Sequence, residues 1–206
     1  VTGSTAIHID YIRLTGDYMP VVFGFVLGLS FVLLTLVFRS IVVPIKAILM
    51  NLLSVGAAYG LVVLVFQKGI GADLLGFQQI DTFEAWVPIF LFCILFGLSM
   101  DYHVFLLSRI RERFDATQDN TESVAFGLST TGGIITGAAL IMVVVFSAFA
   151  AGDLVMFQQM GFGLAVAVLL DASVIRSVIV PSAMRLLGNL NWYLPGWLEW
   201  LPRIRI

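Results

Sequence analysis

The protein has 206 residues, of which 60% are hydrophobic and only 12% charged, with a mean hydropathy of +1.02. An ordinary soluble domain carries about twice that share of charge, and a net charge of -2 with scattered basic residues offers no surface for nucleic acid. The single cysteine, Cys93, lies inside an apolar run and leaves neither an intrachain disulfide nor a metal site built on cysteine.

The opening VTGSTAIHIDYIRLTGD alternates polar and apolar residues in its first half, which predicts the last strand of a soluble domain over residues 1–17. The sequence begins at Val1 without a signal-peptide pattern, so it is expected to be a piece of a longer protein. Five apolar runs follow, at about 19–38, 46–66, 86–107, 129–150 and 157–180. A run of roughly 20 apolar residues crosses a bilayer core of about 30 Å. The expected fold is therefore an all-α integral membrane protein, a bundle of five transmembrane helices within residues 18–184.

Pro20, Pro88 and Pro181 fall near the expected span ends, where a missing backbone donor costs little. Residues 185–206 form a tail in which NWYLPGWLEWLPRIRI alternates aromatic and basic residues, as an interfacial anchor does. Two outer loops share a faint repeat, LLGFQQI at 74–80 and LVMFQQM at 154–160.

Basic residues set the orientation. Arg39, Lys46, Arg109, Arg111, Arg113, Arg185, Arg203 and Arg205 fall on one side, and the other has only Arg13 and Lys68 against Asp10, Asp17, Asp73, Asp81, Glu84 and Asp153. The N-terminal segment is thus expected outside and the C-terminus in the cytoplasm.

The third run carries GLSMDYHVFLLSRIRE. Asp101 precedes Arg109 by eight residues, about 12 Å along a helix. That is too deep for its carboxylate to reach water, and a central Asp costs roughly 2.5–3.5 kcal/mol to insert. Asp101 is expected to face the protein interior or an aqueous cavity and to exchange protons. Tyr102 lies about 100° around the helix and shares the seam. No lysine or arginine stands three or four residues away, so any counter-charge comes from another helix.

Asp171 on the fifth run is expected at nearly the same depth as Asp101. Arg176, five residues on and about 140° around an α-helix, is expected to snorkel toward the cytoplasm, with local neutralisation of Asp171 as the alternative if the helix bends. Thr136 on the fourth run reaches the same layer, where Gly132, Gly133 and Gly137, with Gly97 beside Asp101, are expected to let helices approach closely. Asn51 and Tyr59 on the second run are further candidates for the seam. His103 reads as an interhelical donor rather than a metal ligand, because no second histidine lies nearby. No metal site and no organic cofactor are expected.

These segments resemble a known family. VFRSIVVPIKAILMNLLSVGAAYG, EAWVPIFLFCILFGLSMDYHVFLLSRIRERF, GLSTTGGIITGAALIMVVVFSAF, QQMGFGLAVAVLLDASVIRSVIVPSAMRLLG and the NWYLP tail are similar to the C-terminal transmembrane half of MMPL-family transporters, a branch of the resistance-nodulation-division superfamily. The resemblance implies that residues 1–17 end an extracytoplasmic porter domain and that the five spans correspond to the eighth to twelfth helices of a twelve-helix protein. It implies that Asp101 and Tyr102 form a proton-relay pair facing a matching pair in an N-terminal half. The implied activity is export of lipids, lipid conjugates or hydrophobic drugs across the bacterial cytoplasmic membrane, driven by the proton gradient without any enzymatic step. Implied partners are membrane lipids, a lipidic substrate, the N-terminal half and, as a further option, other copies of the chain. A SecDF-like translocation factor and a sterol-sensing-like lipid receptor are the alternative readings.

Overall fold

The structure, a computed structural model, describes residues 4–80 and 83–201. The expected strand is absent from the described part of the N-terminus: helix α1 runs unbroken over Ser4–Phe38. Its first half pairs with no other strand that could satisfy an edge, whereas a helix satisfies its own backbone in apolar surroundings. Pro20 therefore stands inside a helix, not at its end. Val1–Gly3 of the expected strand, Asp81, and Arg203 and Arg205 of the tail lie outside the described residues.

Arg39 turns the chain with φ 49°, and Ser40 caps the next helix, its Oγ accepting from the amides of Val42 at 3.1 Å and Val43 at 3.3 Å. Helix α2 spans Val42–Val62 and widens into a π-helical turn at Val63–Gln67. A four-residue helix, α3 (Ala72–Leu75), sits between Gly71 and Gly76, both at positive φ. Helix α4 covers Val87–Thr117, with Pro88 in its first turn. After Gln118 at φ 58°, Asp119 caps α5 (Asn120–Ala150), accepting from the amides of Thr121 at 2.8 Å and Glu122 at 3.1 Å. Helix α6 (Val155–Leu170) runs into a π-helical stretch, Asp171–Ile179, and then α7 (Val180–Leu187). Two short 3-10 turns, Gly188–Trp192 and Gly196–Leu198, shape the tail. The two similar loop segments differ in structure, since residues 78–80 are irregular and residues 155–160 open α6.

Among the described residues, five stretches are long and apolar enough to cross a membrane: Ile9–Phe38, Val42–Gln67, Val87–Thr117, Asn120–Ala150 and Val155–Trp192. All-α architecture is thereby met, with α4 and α5 extending about ten residues past their expected cytoplasmic ends. The last stretch is the centre of the bundle, with 50% of its apolar window buried against 17% for the first and fourth. It packs on α5, α2 and α4. Its glycines make this possible: a Cβ on Gly161 would press into the α5 backbone at Ala150 and Phe146, and one on Gly163 would crowd Val62 and Leu91.

The buried apolar side chains form two main layers. One surrounds Phe92, Phe96, Leu91 and Leu164; the other surrounds Val43, Leu107, Ile110 and Met184. Along α4, α2 and the last span, the residues between these layers are polar.

Candidate functional site

Ser99, Asn51, Asp171 and Arg176 meet in that gap, and all four are buried. The Arg176 guanidinium donates through Nη2 to Asp171 Oδ2 at 2.5 Å, to the Ser99 carbonyl at 2.8 Å and to Ser99 Oγ at 3.1 Å. Ser99 Oγ lies 2.6 Å from Asn51 Oδ1 and 2.9 Å from Asp171 Oδ2. A hydroxyl has one proton, so it donates to one of these acceptors at a time. Turning the Asn51 amide over lets its NH2 donate to Ser99 Oγ, which keeps the hydroxyl proton for Asp171. The Tyr102 ring packs 5.0 Å from the guanidinium carbon, a cation–π distance. Its hydroxyl reaches Met142 Sδ at 3.5 Å.

The Asp171–Arg176 pair corrects the expectation that Arg176 snorkels away. The backbone over Asp171–Ile179 is π-helical, and closing hydrogen bonds five residues apart stacks residue i over i+5 instead of leaving them about 140° apart. Such turns are frequent at functional sites. A narrow pocket with room for little more than a water molecule lies beside the pair, lined by Asn51, Ser54, Ser99, Tyr102, Asp171 and Arg176 among others.

Asp101 does not enter this network. Two residues along a helix amount to about 200°, so once Ser99 faces the bundle Asp101 must face away from it, and it is exposed. Gly97, one turn before it, and Phe105, one turn after, share that outer stripe. Tyr102 stands between the two faces, half-buried. The expectation of an interior Asp101 is therefore not met within this chain. The shared depth of α4 and the last span is seen directly in the contact between Ser99 and Asp171.

Other candidates are dispersed. Tyr59 lies elsewhere, its hydroxyl donating to the Pro88 carbonyl at the start of α4. Thr136 is exposed at the mouth of a second cavity shared with Gly132 and Arg176. Gly97, Gly132, Gly133 and Gly137 are not packing positions within the chain, since a Cβ on any of them meets nothing within 4 Å. Close approach falls to Gly127, Gly161 and Gly163. His103 is fully buried, and among the described residues neither ring nitrogen makes a well-directed hydrogen bond.

A second polar cluster lies toward the tail. Lys46 is 6% exposed, and its Nζ donates to Asn191 Oδ1 at 3.0 Å. Asn191 is fully buried and donates to the carbonyls of Met184 at 2.7 Å and Gly188 at 2.6 Å, while its own carbonyl accepts from Ser40 Oγ at 2.6 Å. Trp192 stacks on Phe114, with the Arg111 guanidinium carbon over the Trp192 ring, 4.7 Å from its centroid. The tail is thus keyed into the turn between α1 and α2, beyond the surface anchoring expected of it, although Trp197 and Trp200 remain exposed. A buried lysine and a buried asparagine carry no periodicity that marks them in the sequence; only the contact reveals them.

Comparison with known proteins shows the family. The model of the MMPL family matches residues 1–201. The chain is 44% identical over 199 residues to the mycolic acid-containing lipids exporter MmpL11 of Mycolicibacterium smegmatis, covering 97% of this chain and 21% of that protein. It is 43% identical to the heme uptake protein MmpL11 of Mycobacterium tuberculosis, covering 96% of this chain and 20% of the relative. It is 38% identical to the trehalose monomycolate exporter MmpL3 of Mycolicibacterium smegmatis, covering 97% and 20% respectively. The chain therefore spans about a fifth of the length of these relatives. With its family model matched almost end to end and five helices fit to cross a bilayer, the chain is a multi-pass membrane protein of the MMPL family, within the resistance-nodulation-division superfamily.

Proposed function

We propose that this chain forms the C-terminal transmembrane part of a lipid exporter driven by the proton gradient, with Asp101 and Tyr102 as its proton-relay pair. One observation carries the reading: Asp101 stands midway along a membrane-crossing helix, on the outside of the bundle, while its neighbour Tyr102 touches the buried Asp171–Arg176 pair. A carboxylate in hydrocarbon is costly, so the stripe of Gly97, Asp101 and Phe105 is a face for another helical unit and not for lipid. The resemblance supplies that unit as an N-terminal half bearing a matching pair. Protonation of Asp101 from outside removes its charge, the halves shift, and the proton leaves to the cytoplasm. One charge moved through the membrane potential is worth about 2.3 kcal/mol per 100 mV.

Tyr102 ties this cycle to the bundle, because displacement of its ring changes what Arg176 rests on. The names of two relatives, exporters of mycolic acid-containing lipids and of trehalose monomycolate, support a lipid or lipid conjugate as the cargo. The heme-uptake relative supplies the competing cargo. In this reading the protein lies in the bacterial cytoplasmic membrane, residues 1–17 end an extracytoplasmic domain, and the C-terminal tail is cytoplasmic.

The test is Asp101→Asn in the full-length protein, reconstituted into liposomes with an imposed proton gradient. Lipid efflux and proton flux are both expected to fall to background with membrane insertion intact. Wild-type flux in that variant overturns proton coupling through Asp101, and heme movement without lipid movement in the parent replaces the cargo.

A further inference from the structure

We propose that His103 carries protons from the Asp171–Arg176 site toward the cytoplasmic side, past the apolar layer below that site, with Lys46 and Asn191 at the far end of the route. This rests on the reading of a proton-driven transporter and adds to it an exit path.

The position is unusual on physical grounds. His103 follows Ser99 by four residues, so it lies on the same buried face one turn, about 6 Å, further along α4. It is 0% exposed, and among the described residues neither Nδ1 nor Nε2 makes a well-directed hydrogen bond, the Ser99 backbone one turn back acting on the ring only at poorer geometry. A neutral imidazole holds one donor and one acceptor, and burying both unpaired weakens the fold. Leucine or phenylalanine would fill the space without that cost, so packing does not account for a histidine here.

The charged groups acting on the ring are Arg176, from the π-helical stretch, and Lys46, from α2. Asp171 and Tyr102 complete the titratable groups around Arg176. Arg176 has free hydrogen-bonding capacity at Nε and Nη1, and Asp171 at Oδ1. Among the described residues, the Lys46 ammonium hydrogen-bonds to Asn191 alone. Past His103, Leu106, Leu107 and Ile110 close the core. Lys46, five residues before Asn51 on α2, runs alongside that apolar layer to the tail.

The polar atoms thus form a series: Asn51, Ser99 and Asp171 with Arg176, then His103, then Lys46 and Asn191. When the bundle shifts and water reaches the ring, the bare nitrogen takes a proton from a hydronium on the Arg176 side. The opposite N–H then releases its proton to water beside Lys46. One proton enters and one leaves, and the ring returns to its first tautomer by exchange with the same water.

The experiment measures gradient-driven proton flux in liposomes holding the full-length protein with His103→Gln, His103→Glu or Asp101→Asn. Glutamine keeps volume and polarity but does not titrate. Glutamate titrates, at lower pH than imidazole. His103→Gln is expected to lose at least tenfold in flux with an unchanged melting curve. His103→Glu is expected to keep flux within about threefold, with its cytoplasmic pH optimum displaced to lower values. Wild-type flux in His103→Gln overturns the proposal, as does equal loss in both histidine variants, which would mean that only the imidazole shape matters. Should His103→Gln fail to assemble, His103→Glu decides: a displaced optimum supports the route and an unmoved one rejects it. If Asp101→Asn also conducts normally, the coupling reading has failed; if only the histidine variants do, this inference alone has.

Discussion

Asp171 and Arg176 hold opposite charges in a site with little access to water, and they pair through Arg176 Nη2 and Asp171 Oδ2. Removing one partner of such a buried pair strands the remaining charge, at a cost of about 3–5 kcal/mol, whereas replacing both with apolar residues of similar volume is often neutral or stabilising. Asp171→Asn is therefore expected to lower the thermal stability of the purified protein by several kcal/mol, and the double variant Asp171→Leu with Arg176→Met to recover most of it. Transport is expected to be absent in both, measured as lipid efflux. Recovery of efflux in the double variant would reduce the pair to a packing device. At this scale the sequence shows the residue types and their depth but not their facing. GLSMDY contains a hydroxyl and a carboxylate about 200° apart on one helix, and the carboxylate draws the eye inward because an aspartate in an apolar run demands a partner. Ser99 takes the interior because Arg176 reaches its carbonyl and hydroxyl together. That partner becomes visible only once the last span has its real backbone geometry.

The elements were legible where long apolar runs dictate them, and five spans follow from hydropathy alone. Two features were not. The N-terminal alternation reads as a strand, yet residues 4–38 close a helix, since local pattern gives way when no neighbouring strand is present to complete a ladder. The π-helical stretch at Asp171–Ile179 is a change of hydrogen-bond register with no residue type that announces it. Glycines misled for a related reason: their spacing marks small faces, not which of those faces meets a neighbour. Gly161 is where α6 meets the α5 backbone. Gly161→Ala should push the two helices apart, and overpacking of this kind typically costs about 1–3 kcal/mol. A thermal unfolding series in detergent checks this, with Gly132→Ala as the comparison. Equal melting temperatures for both would show that α5 and α6 are not packed as closely as the backbone contact implies.

On the scale of the whole molecule, the same logic separates what this bundle needs from what it offers. The inner face of α4, with Phe92, Phe96, Ser99, His103, Leu107 and Ile110, is consumed within the chain. The opposite stripe of Gly97, Asp101 and Phe105 is exposed, and a Cβ on Gly97 meets nothing. Small residues on a membrane helix let a neighbouring backbone come close, and Gly97 lies one turn from the carboxylate that needs covering. Gly97→Leu therefore asks a question that Gly161→Ala does not. It leaves every packing contact of the five-helix bundle in place, so insertion and the Asp171–Arg176 pair are expected to survive. It also fills the groove into which a second helical unit would settle against Asp101, so transport by the full-length protein is expected to fall at least tenfold. Efflux measured at matched protein level in liposomes checks this. Normal efflux with a leucine at that position would mean that no helix approaches the Asp101 stripe. The relay pair would then need a partner from some other direction, or none at all.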